Sequence, residues 1–492
     1  MRDSFAKLAR GTLVYGLGGI ASRAVGLLLL PVLTRYLTPA DYGIAALLDL
    51  LVTSACAIFA LGFGSSMTLS FFDRRDRDWQ LANVGTALIV LLGSAALLFG
   101  AGTAFAGPLG QLVLGRTDRP HLLLLALALG SLTVLTVPLS LGLQLEERAR
   151  RLVALNLFST VATAGLSLLF VVPLGRGVAG LFEGRVVAQA ITLAAFALQY
   201  PLAGLVKYDR RIARELLRLG LPMVPAFAAT FVLLQGNRYV LSLFRDMDTV
   251  GIYSVGTSLG FAVGLAVSAF STAWTPFFMS FSDRREEARE LFARVTTYFA
   301  LGFGVLLVIV FAAARPVVMV MTRPAFHGAY VVVGLAAAAQ VFLGAFNLFL
   351  PQASFAREIP WTAAVQWVAA LLSIGFNVLL IPRLGLFGAG IALALGPLLM
   401  VVLLHAWNRS RGVRYLDVPY EWGRVGGCVA VAALLALPYM WPRALPFAAE
   451  LALGAAGALA ALALAWWALG PSERRAVRGF LFRAAVGEVQ GG

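Results

Sequence analysis

The sequence predicts an all-α polytopic membrane protein. It should have about fourteen transmembrane helices: two six-helix lobes in parallel repeat and two further helices at the C-terminal end. Three observations carry that prediction. Apolar runs of about 20 residues recur from end to end. The 492-residue chain is 60% hydrophobic and only 13% charged, whereas a soluble domain has about 25% charged residues. Finally, basic residues crowd alternate loops, and short motifs return at a nearly constant spacing.

Taken in order, helices are expected at 11–33, 43–64, 81–104, 121–143, 152–173, 178–200, 220–243, 250–277, 295–314, 329–350, 362–381, 387–407, 424–441 and 446–469. The first is preceded by Arg2, Lys7 and Arg10, as in a signal peptide. Its apolar run is too long for one and no small-residue cleavage site follows, so it reads as an uncleaved first helix. Near its middle stands Arg23. A guanidinium at that depth costs roughly 2.5–3.5 kcal/mol. A partner carboxylate, a water-filled cavity or an anionic substrate must offset the cost.

An even helix count puts both termini on one side, and the basic residues choose which. With the termini in the cytoplasm, 27 of the 39 Lys and Arg fall in the cytoplasmic tails and loops and nine in the opposite loops. The remaining three, Arg23, Arg185 and Arg238, lie within helices. Most of the +15 net charge therefore reflects topology and needs no nucleic-acid partner. Cys56 and Cys428 fall inside apolar stretches and read as packing residues, with neither a disulfide framework nor a metal site indicated.

The chain also repeats itself. Gly43-Ile44 returns as Gly251-Ile252, and Asp73-Arg74-Arg75 as Asp283-Arg284-Arg285. Val172-Pro173 with Gly177 and Gly180 returns as Ile381-Pro382 with Gly385 and Gly388. The offset stays between 208 and 210. This divides the chain into an N-terminal six-helix lobe (1–206), a C-terminal six-helix lobe (207–415) and a segment of two extra helices with a cytoplasmic tail (416–492). Six helices per copy leaves both copies in the same orientation, related by an axis along the membrane normal. Folds of that kind place a substrate between the halves and alternate its access by rocking.

Three segments resemble a known family. Leu33-Thr34-Arg35-Tyr36-Leu37-Thr38-Pro39-Ala40-Asp41-Tyr42-Gly43 is similar to the signature of bacterial polysaccharide (O-antigen-type) flippases. These belong to the multidrug, oligosaccharidyl-lipid and polysaccharide exporter superfamily. Asn377 to Gly385 with Gly388-Ala389, and Gly251 to Val255, resemble two further signatures. Ser22-Arg23 followed by Gly26 is similar to the first helix of lipid II flippases, where the arginine belongs to a cationic central cavity. The resemblance covers essentially the whole chain. It implies an undecaprenyl-diphosphate-linked oligosaccharide, carried from the cytoplasmic to the periplasmic leaflet of the bacterial inner membrane. It also implies membrane lipids and other polysaccharide-export proteins as partners. One departure falls in helix seven. Many relatives read Asp-Arg where this chain has Asn237-Arg238, so a carboxylate serving cation coupling there would be absent here.

A diphosphate entering a low-dielectric region needs donors that stay charged, and arginine can hold phosphate oxygens bidentately. Arg23, Arg185 and Arg238 are the candidate substrate-binding residues. Each also admits a structural reading: Arg23 paired with Asp49 of helix two, Arg185 paired with another helix, Arg238 snorkelling outwards. Asp49 and Glu183 are candidates for ion coupling or for counter-ions to the arginines, and pairing favours the second role. Glu183 is two residues from Arg185, so the two should face different ways.

No acid–base pair or Cys/His cluster has catalytic spacing, and no phosphate-binding glycine loop of the P-loop type occurs. The expectation is a transporter rather than an enzyme, with no cofactor. The main alternative is a cation-coupled multidrug exporter of the same superfamily, which predicts acids in helices one and seven and twelve spans. A scaffolding protein would not need buried arginines in both halves. A glycosyltransferase of lipid-linked sugars would show a large periplasmic loop.

Overall fold

The computed structural model describes residues 24–73, 76–115, 119–281, 284–355, 359–411, 416, 418–440, 446–468 and 474. Among them the regular structure is helical throughout, with no strand. Eleven helices are long and apolar enough to cross a membrane, or twelve with one bent pair. The chain is a multi-pass helical membrane protein.

The first expected helix is described from residue 24 onwards, as α1 (Ala24–Tyr36). Arg23 lies just outside the described residues. Then follow α2 (Pro39–Phe59), α3 (Phe63–Ser70), α4 (Arg77–Ala104), α5 (Ala106–Leu114), α6 (Pro120–Leu145), α7 (Ala149–Val171) and α8 (Gly177–Ala197). The short α9 (Leu202–Leu205) and α10 (Arg210–Gly220) lead into α11 (Val224–Phe244). The second half continues with α12 (Met247–Gly260), α13 (Gly264–Met279), α14 (Arg285–Met321), α15 (Tyr330–Phe355) and α16 (Ile359–Arg411). Last come α17 (Trp422–Met440) and α18 (Phe447–Ala468).

Two departures from the expected spans have simple causes. Residues 201–219, expected as a loop, contain the amphipathic α10. Its Ile212, Ala213 and Leu216 are buried while its arginines keep to the other face, a pattern that hydropathy alone averages away. Similarly α14 starts well before residue 295. Its first turns are charged and carry the pairs Arg289–Glu286 at 3.1 Å and Arg294–Glu290 at 3.6 Å. A helix continues through such turns although its hydropathy does not.

The 53-residue α16 is two helices joined at Gly385, where φ is +56°. A Cβ on Gly396 would meet Ser373 Oγ at 3.0 Å, so the two arms fold back on each other. The α7–α8 hairpin turns in the same way at Gly177, φ +55°, 208 residues earlier. Only glycine reaches that backbone region without strain. The repeated Gly177 and Gly385 are thus the two hairpin corners.

The two halves meet in a reciprocal crossing. Gly43 of α2 lies against the Met247 carbonyl of α12, and Gly251 of α12 lies against the Pro39 carbonyl of α2. Both contacts join positions that correspond at the 208-residue offset, as a two-fold relation between copies requires. The caps above the crossing correspond too, with the residues exchanged. Thr38 caps α2 and bonds Asp41, Oγ1 to Oδ2 at 2.8 Å. Asp246 caps α12, accepting from the Thr249 N–H at 3.0 Å and also from the Thr249 hydroxyl. One apolar cluster then runs from Leu47 and Leu48 of α2 through Phe182 of α8 to Tyr253 of α12 and Leu393 of α16.

The Asp246 cap predicts a pH effect. The Thr249 hydroxyl, and then the Thr249 N–H, hold its carboxyl below the usual carboxylate range. A depressed folded-state pKa contributes stability that is present above the unfolded value, about 3.9, and is lost as pH falls through the folded one. Asp246→Ala is expected to lower stability at pH 7 by the worth of one cap, about 1 kcal/mol, and so the melting midpoint. A thermal-melt series from pH 7 to pH 3 should show the gap to wild type closing at the acid end. A gap that stays constant would refute the cap's electrostatic part.

The last helix is tied to the bundle by charge. Arg315, expected in a loop, lies in α14 and pairs with Glu450 of α18, which is 6% exposed at the side chain. The Arg315 guanidinium also sits 5.8 Å from the Tyr330 ring centre. Removing one partner of a buried pair strands the other charge, at roughly 3–5 kcal/mol. Glu450→Ala is therefore expected to loosen α18. Limited proteolysis after 446 should speed up in the variant, and equal cleavage rates would contradict the anchor.

Candidate functional site

Just past the crossing the helices part around a cavity of about 570 Å³. Asp49 of α2 and Arg185 of α8 line it from the first half. Arg238 of α11, Ser254 and Ser258 of α12, and Gln340 of α15 line it from the second. Leu27 and Leu30 of α1 supply an apolar wall.

Local sequence explains how each charge points inwards. Gly184 lets α8 lie close on α7, since a Cβ there would come within 2.7 Å of the Leu166 carbonyl. Arg185, about 100° further round the helix, then faces the interior. Its guanidinium bonds Asp49 Oδ1 at 2.6 Å and lies 5.2 Å from the Phe182 ring centre. On α11 the dipeptide Asn237-Arg238 splits its directions in the same manner. Asn237 is buried towards α16, where it accepts from Asn377 Nδ2 at 2.7 Å. Arg238 turns to the cavity and donates to Thr257 Oγ1 at 3.3 Å. Among the described residues no carboxylate lies within ion-pair distance of Arg238.

By helical rise the three charges lie about 15 Å (Asp49), 12 Å (Arg185) and 9 Å (Arg238) from the ends of their helices. Those ends are the ones bearing the sparsely basic loops. The cavity thus carries two guanidiniums against one carboxylate, and one guanidinium holds that carboxylate.

The structure places the expected site residues as follows. Arg185 and Arg238 come together in one cavity, and Asp49 joins them. The Asp49 partner among the described residues is Arg185; the expected Arg23–Asp49 pair involves a residue outside them. Glu183 does not line the cavity. It binds Arg176, at the start of its own helix, at 2.8 Å, and it faces away from Arg185 as the two-residue spacing requires. Asn377, inside the 377–385 signature, bridges α16 to α11, because about two turns before the Gly385 corner its amide still faces the neighbouring helix. Tyr42, Ser254 and Ser258 line the cavity without having been singled out. The signal was available: Tyr42 lies in the 33–43 signature and Ser254 in the 251–255 one. The Tyr42 hydroxyl is buried with no bonding partner among the described residues. No group of three or more His, Cys, Asp or Glu there could hold a metal ion.

A helical bundle that crosses the membrane many times, with a charged cavity between two repeated halves, has the architecture of a membrane transporter. The chain belongs to the family of polysaccharide biosynthesis proteins, whose pattern matches residues 8–282. No curated protein sequence matches it. Solved structures share its fold at low identity. An inward closed conformation of the lipid II flippase MurJ is 11% identical, covering 92% of this chain and 98% of that one, with a TM-score of 0.71. An inward-facing multidrug-resistance MATE transporter of the MOP superfamily is 14% identical, covering 80% and 95%, with a TM-score of 0.66. An outward-facing MATE transporter of that superfamily is 15% identical, covering 83% and 96%, with a TM-score of 0.53.

Proposed function

We propose that the protein flips an undecaprenyl-diphosphate-linked oligosaccharide from the cytoplasmic to the periplasmic leaflet of the bacterial inner membrane. The observation that carries this reading is Arg238, a cavity guanidinium with no carboxylate partner among the described residues. It lies across from Arg185, which the other half supplies. A guanidinium held by a hydroxyl, without a carboxylate in contact, is costly in a low-dielectric pocket unless an anion visits it. A diphosphate offers several acceptor oxygens, and two guanidiniums from two halves can share them. Arg23 belongs to the same proposed clamp through its place on the first helix. Asp49 and Glu183 act as counter-ions, to Arg185 and Arg176.

In this reading the crossing of α2 and α12 seals the periplasmic end, and the cavity is loaded from the side of the basic loops. Both termini lie in the cytoplasm. The lobes 1–206 and 207–415 then rock about their interface, with 416–492 as an appended pair of helices and a tail. Membrane lipids surround the bundle, and other polysaccharide-export proteins supply or receive the glycan. Nothing in the reading calls for a bond to be made or broken, or for a cofactor.

Native mass spectrometry of the purified protein tests the proposal. Undecaprenyl-diphosphate-linked oligosaccharide should bind and be displaced by soluble pyrophosphate. Binding of the lipophilic cation tetraphenylphosphonium, with none of the diphosphate lipid, would favour the cation-coupled multidrug exporter instead.

A further inference from the structure

A second pocket, of about 310 Å³, lies at the end of the bundle that carries the basic loops. Gln352 at the end of α15, His405, Asn408 and Arg409 at the end of α16, and Tyr420 and Trp422 at the start of α17 line it. None of them belongs to the central cavity. Its polar atoms are unusually specific. Gln352 is 6% exposed, and its Nε2 donates to the Leu416 carbonyl at 3.2 Å. That bond fixes the amide's orientation, since a flip would oppose two oxygens. Gln352 Oε1 is then a buried acceptor with no donor among the described residues, and His405 Nδ1 is also buried and unbonded. Next to them the rings of Phe349, His405, Tyr420 and Trp422 form one cluster, with His405 and Trp422 centred 4.6 Å apart.

The first half differs at the corresponding place. Position 200, which is 208 residues before Asn408, is a tyrosine. Its ring is 6% exposed, and its hydroxyl bonds the Leu139 carbonyl at 2.8 Å. Asn408 makes the comparable bond, Nδ2 to the Phe349 carbonyl at 2.9 Å, with a much smaller side chain. The same 210-residue pairing of Leu139 with Phe349 matches Gly142, which lies against the Tyr200 hydroxyl, with Gln352, so the second half sets an amide where the first sets a phenol.

We infer that this pocket is a subsite for a sugar ring. A free buried carbonyl oxygen asks for a donor, which a sugar hydroxyl supplies and the ionised diester phosphates of such a lipid lack. An aromatic wall accepts the C–H face of a pyranose, and Arg409 at the rim donates to its outer oxygens. A pocket built around an acceptor of this kind rejects ligands that leave it unpaired. The inference rests on the flippase reading only for the source of the sugar, which is the glycan waiting at the loading side.

The test is saturation-transfer NMR on the full chain in a detergent without a sugar headgroup. The probes are the methyl pyranosides of glucose, galactose, mannose and N-acetylglucosamine, with inorganic phosphate as the competing class. Ring protons of at least one pyranoside should receive saturation from wild type. Asn408→Tyr, which puts a bulky ring into the pocket, should abolish the transfer. Gln352→Leu, which removes the acceptor, should weaken binding about fivefold. Melting midpoints of both variants are measured alongside, and Gln352→Leu carries the test if Asn408→Tyr does not fold. Three outcomes overturn the inference: no transfer to any of the four sugars, equal transfer in wild type and folded variants, or displacement of the sugar by phosphate. Diphosphate-lipid binding is scored separately, so a failed sugar subsite and a failed flippase reading give different results.

Discussion

Arg238→Met should weaken binding of the diphosphate-linked lipid by roughly 10- to 100-fold, the worth of one or two charge-assisted hydrogen bonds. Methionine keeps most of the arginine stem's volume while removing charge and donors, so packing around α11 should survive. The neighbouring Asn237–Asn377 bond, at 2.7 Å, faces away from the cavity and gives an independent handle on α11. Arg238 is the more informative arginine to change. Arg185 already spends a donor on Asp49 at 2.6 Å, so its loss would also strand a carboxylate and confuse the readout. The measurement is the pyrophosphate-displaceable fraction in native mass spectra. Equal binding in wild type and Arg238→Met would make Arg238 a packing charge and leave the flippase reading without its main support.

The second large effect is expected at the crossing. A Cβ at Gly251 would run into the backbone carbonyl of Pro39, and backbone cannot rotate aside as a side chain can. Overpacking of this kind costs about 1–3 kcal/mol or more. Gly251→Ala should therefore push α2 and α12 apart at that end. Spin labels at positions 36 and 245, in a background with Cys56 and Cys428 replaced by serine, should move apart relative to wild type. Gly93→Ala is the control, since nothing lies within 4 Å of a Cβ there, and its label distance should stay put. An unmoved distance in Gly251→Ala would mean that the close approach relaxes locally and seals nothing.

Much of this architecture could be read from residue order because membrane helices announce themselves by length and hydropathy. The constant offset did more. It placed Gly177 and Gly385 as equivalent positions before either was known to be a hairpin corner, and Gly43 and Gly251 before either was known to touch its opposite number. Charge inside apolar spans singled out Arg185, Arg238 and Asp49, and all three line the one cavity. What stayed illegible depends on rotation about helix axes and on which helices adjoin. Glu183 and Arg185 are two residues apart yet serve different partners. Arg315 looked like a loop residue because its partner, Glu450, is 135 positions away. Tyr42 and Ser254 carry no signal as isolated polar residues. They gain one only from lying inside the family signatures.

The crossing of α2 and α12 also sets a gearing ratio. Let α2 tilt by about 10° about its first turn, with the 1.5 Å rise per residue fixing the lever arms. Its far end, about 30 Å away, then swings by about 5 Å, whereas Asp49, about 15 Å from the fulcrum, moves by about half as much. A mouth at the far end can thus widen by much of a side chain's length while the charged groups midway along shift by only about half of that, Asp49 together with Arg185 of the same half. A cargo gripped by its charged joint would feel about half the displacement of the mouth. Its bulky remainder would find the doorway changing around it.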